Sequence, residues 1–105
     1  MTRPVESKKE ALGRLRAAGA KLTGFGVIRI GLFGSFITNR QTQTSDINIL
    51  VEFTPDRHSF DNFMDLSFFL EDLLGREVDL VTVDALSPHI GPHILKEVER
   101  VAFTA

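Results

Sequence analysis

Two apolar runs set the pattern of this chain. Val27, Ile28, Ile30, Leu32 and Phe33 form a nearly continuous β-prone stretch that breaks at Gly34-Ser35, and Ile47, Ile49, Leu50, Val51 and Phe53 form a second one. Short continuous apolar runs bounded by turn residues read as strands in a covered sheet, so residues 27–33 and 47–53 are predicted strands, the first buried on both faces. Thr54-Pro55-Asp56 ends the second, because proline cannot donate to a ladder and favours turns. A third strand is predicted over 77–83, where Val78, Leu80, Val81 and Val83 surround Asp79.

Elsewhere the apolar positions fall at helical spacing. Behind Pro4, residues 5–18 are rich in Ala, Leu, Lys, Arg and Glu, with Val5, Leu12 and Leu15 as a narrow stripe and Gly19 as the expected C-cap. Residues 21–26, with two glycines, are expected to be loop. Ser59 is the expected N-cap of a helix to Leu74 that carries Phe60, Phe63, Leu66, Leu70, Leu73 and Leu74, with Gly75 closing it. Residues 36–39 suffice for one helical turn, and the polar stretch 40–45 is loop. The last helix is predicted over 90–100, burying Ile90, Ile94, Leu95 and Val98. Together these elements predict one α/β (α+β) domain over residues 1–105, a small sheet covered by helices.

Composition narrows the function classes. A hydrophobic content of 43% over 105 residues builds one thin core. A net charge of −2 provides no basic field, and the basic positions Lys8, Lys9, Arg14 and Arg16 read as a solvated helix face, so no strong nucleic-acid signal is present. There is no cysteine. No run approaches the roughly 20 apolar residues that span a bilayer, so no membrane role is expected and the cytoplasm is the default location. His89 and His93 stand four apart, but with prolines at 88 and 92 and no third ligand nearby they read, like His58, as surface or helix-end residues. Phe60, Phe63, Phe68 and Phe69 cannot all face one core, so one or two are expected to be exposed.

The chemistry concentrates where the first run breaks. A strand that ends in Gly-Ser and enters a short helix turns several backbone N–H groups outward, a place for a phosphate: Gly34 allows close approach, and the Ser35 hydroxyl adds a donor. In an extended chain residues two apart face the same way, so Asp46 and Asn48 project together. Asp79, in an apolar run, needs a partner. If the third strand lies beside the second, Asp79 meets Asp46 and Asn48, and hard oxygen ligands beside a phosphate cradle suit Mg²⁺ with a nucleoside triphosphate. The bland alternative has Asp46 capping the strand, Asn48 on the surface and Asp79 paired with an arginine such as Arg76.

Gly34-Ser35, ten residues, Asp46-x-Asn48 and then Ile49-Leu50-Val51-Glu52-Phe53 resembles the signature of the nucleotidyltransferase superfamily of DNA polymerase β type. Leu73-Leu74-Gly75-Arg76-Glu77-Val78-Asp79-Leu80-Val81 is similar to the segment that supplies the third carboxylate in its smallest members, the MNT antitoxins encoded beside HEPN toxins. The resemblance covers residues 27–101. It implies Mg²⁺-dependent transfer of AMP from ATP to a tyrosine of a HEPN-type toxin, within a hetero-complex or oligomer. Gly34, Ser35 and Arg40 would hold the nucleotide; Asp46, Asn48 and Asp79 would be catalytic and bind the metal. Two departures fall on this site. The family pattern has a second Asp where this chain has Asn48, and Arg-Gly-Glu where it has Thr38-Asn39-Arg40. An amide carbonyl can ligate Mg²⁺ but brings no charge, so the alternative is a weakened or inactive protein of the same fold that neutralises its partner by binding.

Overall fold

The computed structural model describes residues 2–103. Four strands make one sheet in the order β3-β2-β1-β4, with β1 spanning Val27–Phe33, β2 Ile47–Phe53, β3 Val78–Thr82 and β4 Glu99–Arg100. β1 pairs antiparallel with β2 and with β4, and β2 pairs parallel with β3. The first two strands have the bounds their apolar runs predict.

The core lies on one face of this sheet. Ile30 and Leu32 of β1 and Ile47, Ile49 and Val51 of β2 are at most 1% exposed. They pack with Leu66, Leu70 and Leu74 of α4, which runs Phe60–Leu74. Ser59 caps that helix by accepting from the Asn62 N–H at 3.2 Å, and Gly75 closes it with φ 69°. Both ends therefore fall where the capping residues predict. Removing three leucines from water at one helix face contributes roughly 1.5–3 kcal/mol each.

Four sequence expectations are corrected. The first helix, α1, begins at Lys8 under a Ser7 cap rather than behind Pro4, and Val5 reaches the core from the segment ahead of the helix. Gly19 does not end the helical region: α2 spans Gly19–Gly24 inside the stretch expected to be loop, because burying Leu22 completely outweighs the weak propensity of two glycines. β1 is not buried on both faces throughout, since a bulge between Val27 and Arg29 turns Ile28 outward to 43% exposure. The last helix, α5, stops at Glu97, having begun at Gly91, and the chain straightens into β4. Ile90 is 59% exposed and Leu95 44%, while Ile94 and Val98 are half-buried, so the predicted apolar stripe is not a core face.

The exposed phenylalanines are Phe60 and Phe68, with Phe63 and Phe69 half-buried against the core. Of the basic positions in α1, Lys8 pairs with Glu99 of β4 at 3.0 Å and Arg14 donates to two carbonyls, so only Lys9 and Arg16 form a solvated face. No helix among the described residues is long and apolar enough to cross a membrane.

Candidate active site

Gly34 leaves β1 at φ 80° and ψ −147°, a conformation that glycine alone adopts without strain. A side chain there would also collide with the amide of Asn48. The register explains the contact: Phe33 lies opposite Asn48, so the chain leaving β1 crosses directly over that side chain. Ser35 then opens α3 (Ser35–Thr38), a single turn whose Ile37 and Thr38 N–H groups both donate to the Gly34 carbonyl. Phe36, 1% exposed, anchors this turn in the core.

On the far side of β2, Asn48 is the register partner of Asp79 in the parallel ladder. Partners in a ladder point to the same face. The third strand thus lies beside the second as the sequence argument required, and Gly34, Asn48 and Asp79 come together. Asp46 stands one residue outside the ladder, where the Ile47 N–H donates to the Glu77 carbonyl at 2.9 Å. It borders a cleft of about 200 Å³ shared with Arg76 and Glu77.

Arg76 is not the partner of Asp79. Its Nε donates to the Val5 carbonyl at 2.6 Å and its Nη1 to the carbonyls of Thr42 and Ser45 at 2.7 and 3.0 Å. The guanidinium also lies 5.1 Å from the centroid of the Phe36 ring. Arg76 therefore clamps the loop ahead of Asp46 to the phenylalanine that anchors the Gly-Ser turn. A lone arginine behind a cap glycine gives no sign of this in the sequence. Neither Asp46 nor Asp79 takes part in an ion pair among the described residues.

Arg40 is exposed, and its backbone N–H donates to the Ser35 carbonyl at 2.9 Å after a left-handed turn at Asn39 (φ 59°). One contact has no counterpart in the sequence reading: Glu97, the last residue of α5, accepts from the Gly34 N–H at 2.7 Å. On the same sheet face, Gly31, Leu50, Leu95 and Val98 line a groove of about 260 Å³, with Arg29 and Glu52, paired at 2.6 Å, also on its wall.

No three His, Cys, Asp or Glu side chains among the described residues are gathered as a metal site. Asn48 has Asp79 as its ladder partner, and Asp46 stands two residues before it in the chain. Of the histidines, His58 lies 3.4 Å from Asp84, and His89 and His93 are exposed.

A glycine turn pressed against a polar residue whose ladder partner is an aspartate, on a small mixed sheet backed by helices, is the layout of a nucleotidyltransferase domain. The sequence matches the family described as Polymerase beta, Nucleotidyltransferase over residues 22–102, and the chain belongs to that family. It is 42% identical over 74 residues to the protein adenylyltransferase MntA of Thermococcus cleftensis, which covers 70% of this chain and 74% of that protein. A solved structure assigned as a minimal nucleotidyltransferase superposes with a TM-score of 0.78 at 28% identity, covering 90% of this chain and 95% of that one. An antitoxin complex, the tri-AMPylated HEPN toxin of Shewanella oneidensis with its MNT antitoxin, gives a TM-score of 0.63 at 21% identity, covering 92% of this chain and 73% of the matched one. That last likeness is one of fold.

Proposed function

We propose that this chain is a Mg²⁺-dependent protein adenylyltransferase that moves AMP from ATP to a tyrosine hydroxyl of a HEPN-type toxin and so acts as the antitoxin of a pair. The observation that carries the reading is the pairing of Asn48 with Asp79 beneath the Gly34 turn. The names of the relatives, an adenylyltransferase and an MNT antitoxin bound to an AMPylated HEPN toxin, support the substrate and partner classes. In this reading the protein would act in the cytoplasm, where it would meet ATP and such a toxin.

In this reading the Gly34 N–H and the Ser35 hydroxyl donate to phosphate oxygens, and Arg40 adds a cation from the neighbouring loop. The donor set fits a hard dication: the carboxylates of Asp46 and Asp79 and the amide oxygen of Asn48 are oxygen ligands, and neither carboxylate takes part in an ion pair among the described residues. When bound, Mg²⁺ would supply positive charge to the triphosphate and to the developing transition state. The tyrosine oxygen forms a bond to the α-phosphorus while the bond from that phosphorus to the bridging oxygen breaks, and pyrophosphate leaves with that bond's electron pair. Asp79 would take the hydroxyl proton.

Asn48 favours a second reading. With two carboxylates instead of three, the site holds dications less firmly, and the protein would then neutralise its partner by binding alone. Both readings meet one experiment, in which the protein, Mg²⁺, α-labelled ATP and the toxin encoded beside it are incubated together. Label on the toxin, lost in Asp46→Ala and Asp79→Ala and raised about tenfold or more by Asn48→Asp, is the outcome expected of the enzyme; that factor is the scale on which a metal's surroundings change its affinity. No label from the native chain, with label gained in Asn48→Asp, would leave the binding reading standing.

A further inference from the structure

We propose that Glu97 is a built-in competitor of the nucleotide: its carboxylate occupies the Gly34 N–H in the empty protein, and the triphosphate binds by displacing it. The proposal rests on the nucleotidyltransferase reading of this site and concerns its regulation. The Gly34 N–H belongs to the residue that crosses over Asn48, and its hydrogen bond reaches 63 residues along the chain to a carboxylate at 2.7 Å. Such a bond is charge-assisted, and an anion seated on this donor holds the position that a phosphate oxygen would need. Two anions cannot share one N–H at close range, so the nucleotide and Glu97 exclude each other.

The segment that delivers Glu97 is clipped to the sheet at a few points. The next residue, Val98, lies over Gly31, where a Cβ would come within 2.7 Å of its Cγ2. β4 pairs at Gly31 with Arg100 and at Leu32 with Glu99, and the Val101 N–H donates to the Ile30 carbonyl at 2.9 Å. Lys8 holds Glu99 at 3.0 Å. Against this, Gly91 is the one buried residue of α5, and Glu97 takes part in no ion pair among the described residues. A side chain on a lightly anchored helix end, with the strand behind it fixed, can swing away without unfolding the sheet.

The test is the affinity of Mg²⁺-ATP, pyrophosphate and adenosine for the native chain, Glu97→Ala and Glu97→Gln, by titration calorimetry, with thermal melting to establish that each variant is folded. ATP and pyrophosphate are expected to bind Glu97→Ala about tenfold or more tightly than the native chain, on the scale of one charge-assisted hydrogen bond. Glu97→Gln, which keeps the side chain's length but not its charge, is expected to gain as well, while adenosine, having no phosphate, is unaffected by either change. Equal or weaker binding of ATP by the folded variants overturns the competitor and leaves the nucleotidyltransferase reading intact. Binding of ATP by none of the three proteins overturns both.

Discussion

Gly34 bears two constraints at one atom: a backbone angle closed to side chains and the amide of Asn48 packed where a Cβ would stand. Gly34→Ala is expected to lower stability by about 1–3 kcal/mol through backbone strain, before any displacement of Asn48. Melting should fall by roughly 4–8 °C per kcal/mol in a domain of this size. The same measurement on Gly13, which has open space around it and an ordinary helical backbone, is the control. At this scale the sequence was partly legible. Gly34-Ser35 announces a turn, whereas Asp79, expected from its apolar neighbours to need a partner, is exposed in β3 and is solvated without one. What local pattern cannot supply is the contact made across many residues: Glu97 falls in a segment with nothing to single it out, and its bond to Gly34 exists only once β4 has found β1.

Among the elements, the loop from Arg40 to Asp46 depends on one side chain outside it. Three carbonyls and the Phe36 ring hold Arg76, and two of those carbonyls belong to the loop. Arg76→Met is expected to cost about 1–3 kcal/mol, the scale of hydrogen bonds to a charged group, and to raise hydrogen exchange in residues 42–46 ahead of the rest of the fold. Arg76→Lys should recover little of this, because one ammonium cannot reproduce the planar fork that serves carbonyls on both sides. The elements with strong internal signals were the readable ones: β1, β2 and α4 carry long apolar runs or paired caps. α2 and β4 were not, and for physical reasons. α2 is helical because Leu22 is drawn into the core, and β4 is a two-residue edge strand whose ladder depends on the missing side chain of Gly31.

Over the whole molecule, the sheet has a packed face and a working face. α4 backs the first, and its own two sides can be told apart by substitution. Leu70→Ala, at a fully buried position, is expected to cost about 2–5 kcal/mol in chemical denaturation. Phe68→Ser, at a position 60% exposed, should change stability by no more than about 0.5 kcal/mol. Equal losses would show that the helix is seated differently. The division of faces also explains the legible share of the fold: β1, β2 and β3 follow from hydrophobic runs, whereas β4 and the face it helps to build are assembled by register.

The Val5 carbonyl receives Arg76, and the Val5 N–H donates to the Leu74 carbonyl at 3.0 Å. One residue near the start of the chain therefore bridges the end of α4 and the guanidinium that steadies the approach to Asp46. A pull on the amino-terminal segment, from a fusion, a bound protein or a crosslink, would be transmitted to the loop through that carbonyl and through the Glu6 carbonyl, which accepts from Gln41 at 3.2 Å, giving the cleft beside Asp46, whose wall Pro4 shares, a mechanical handle.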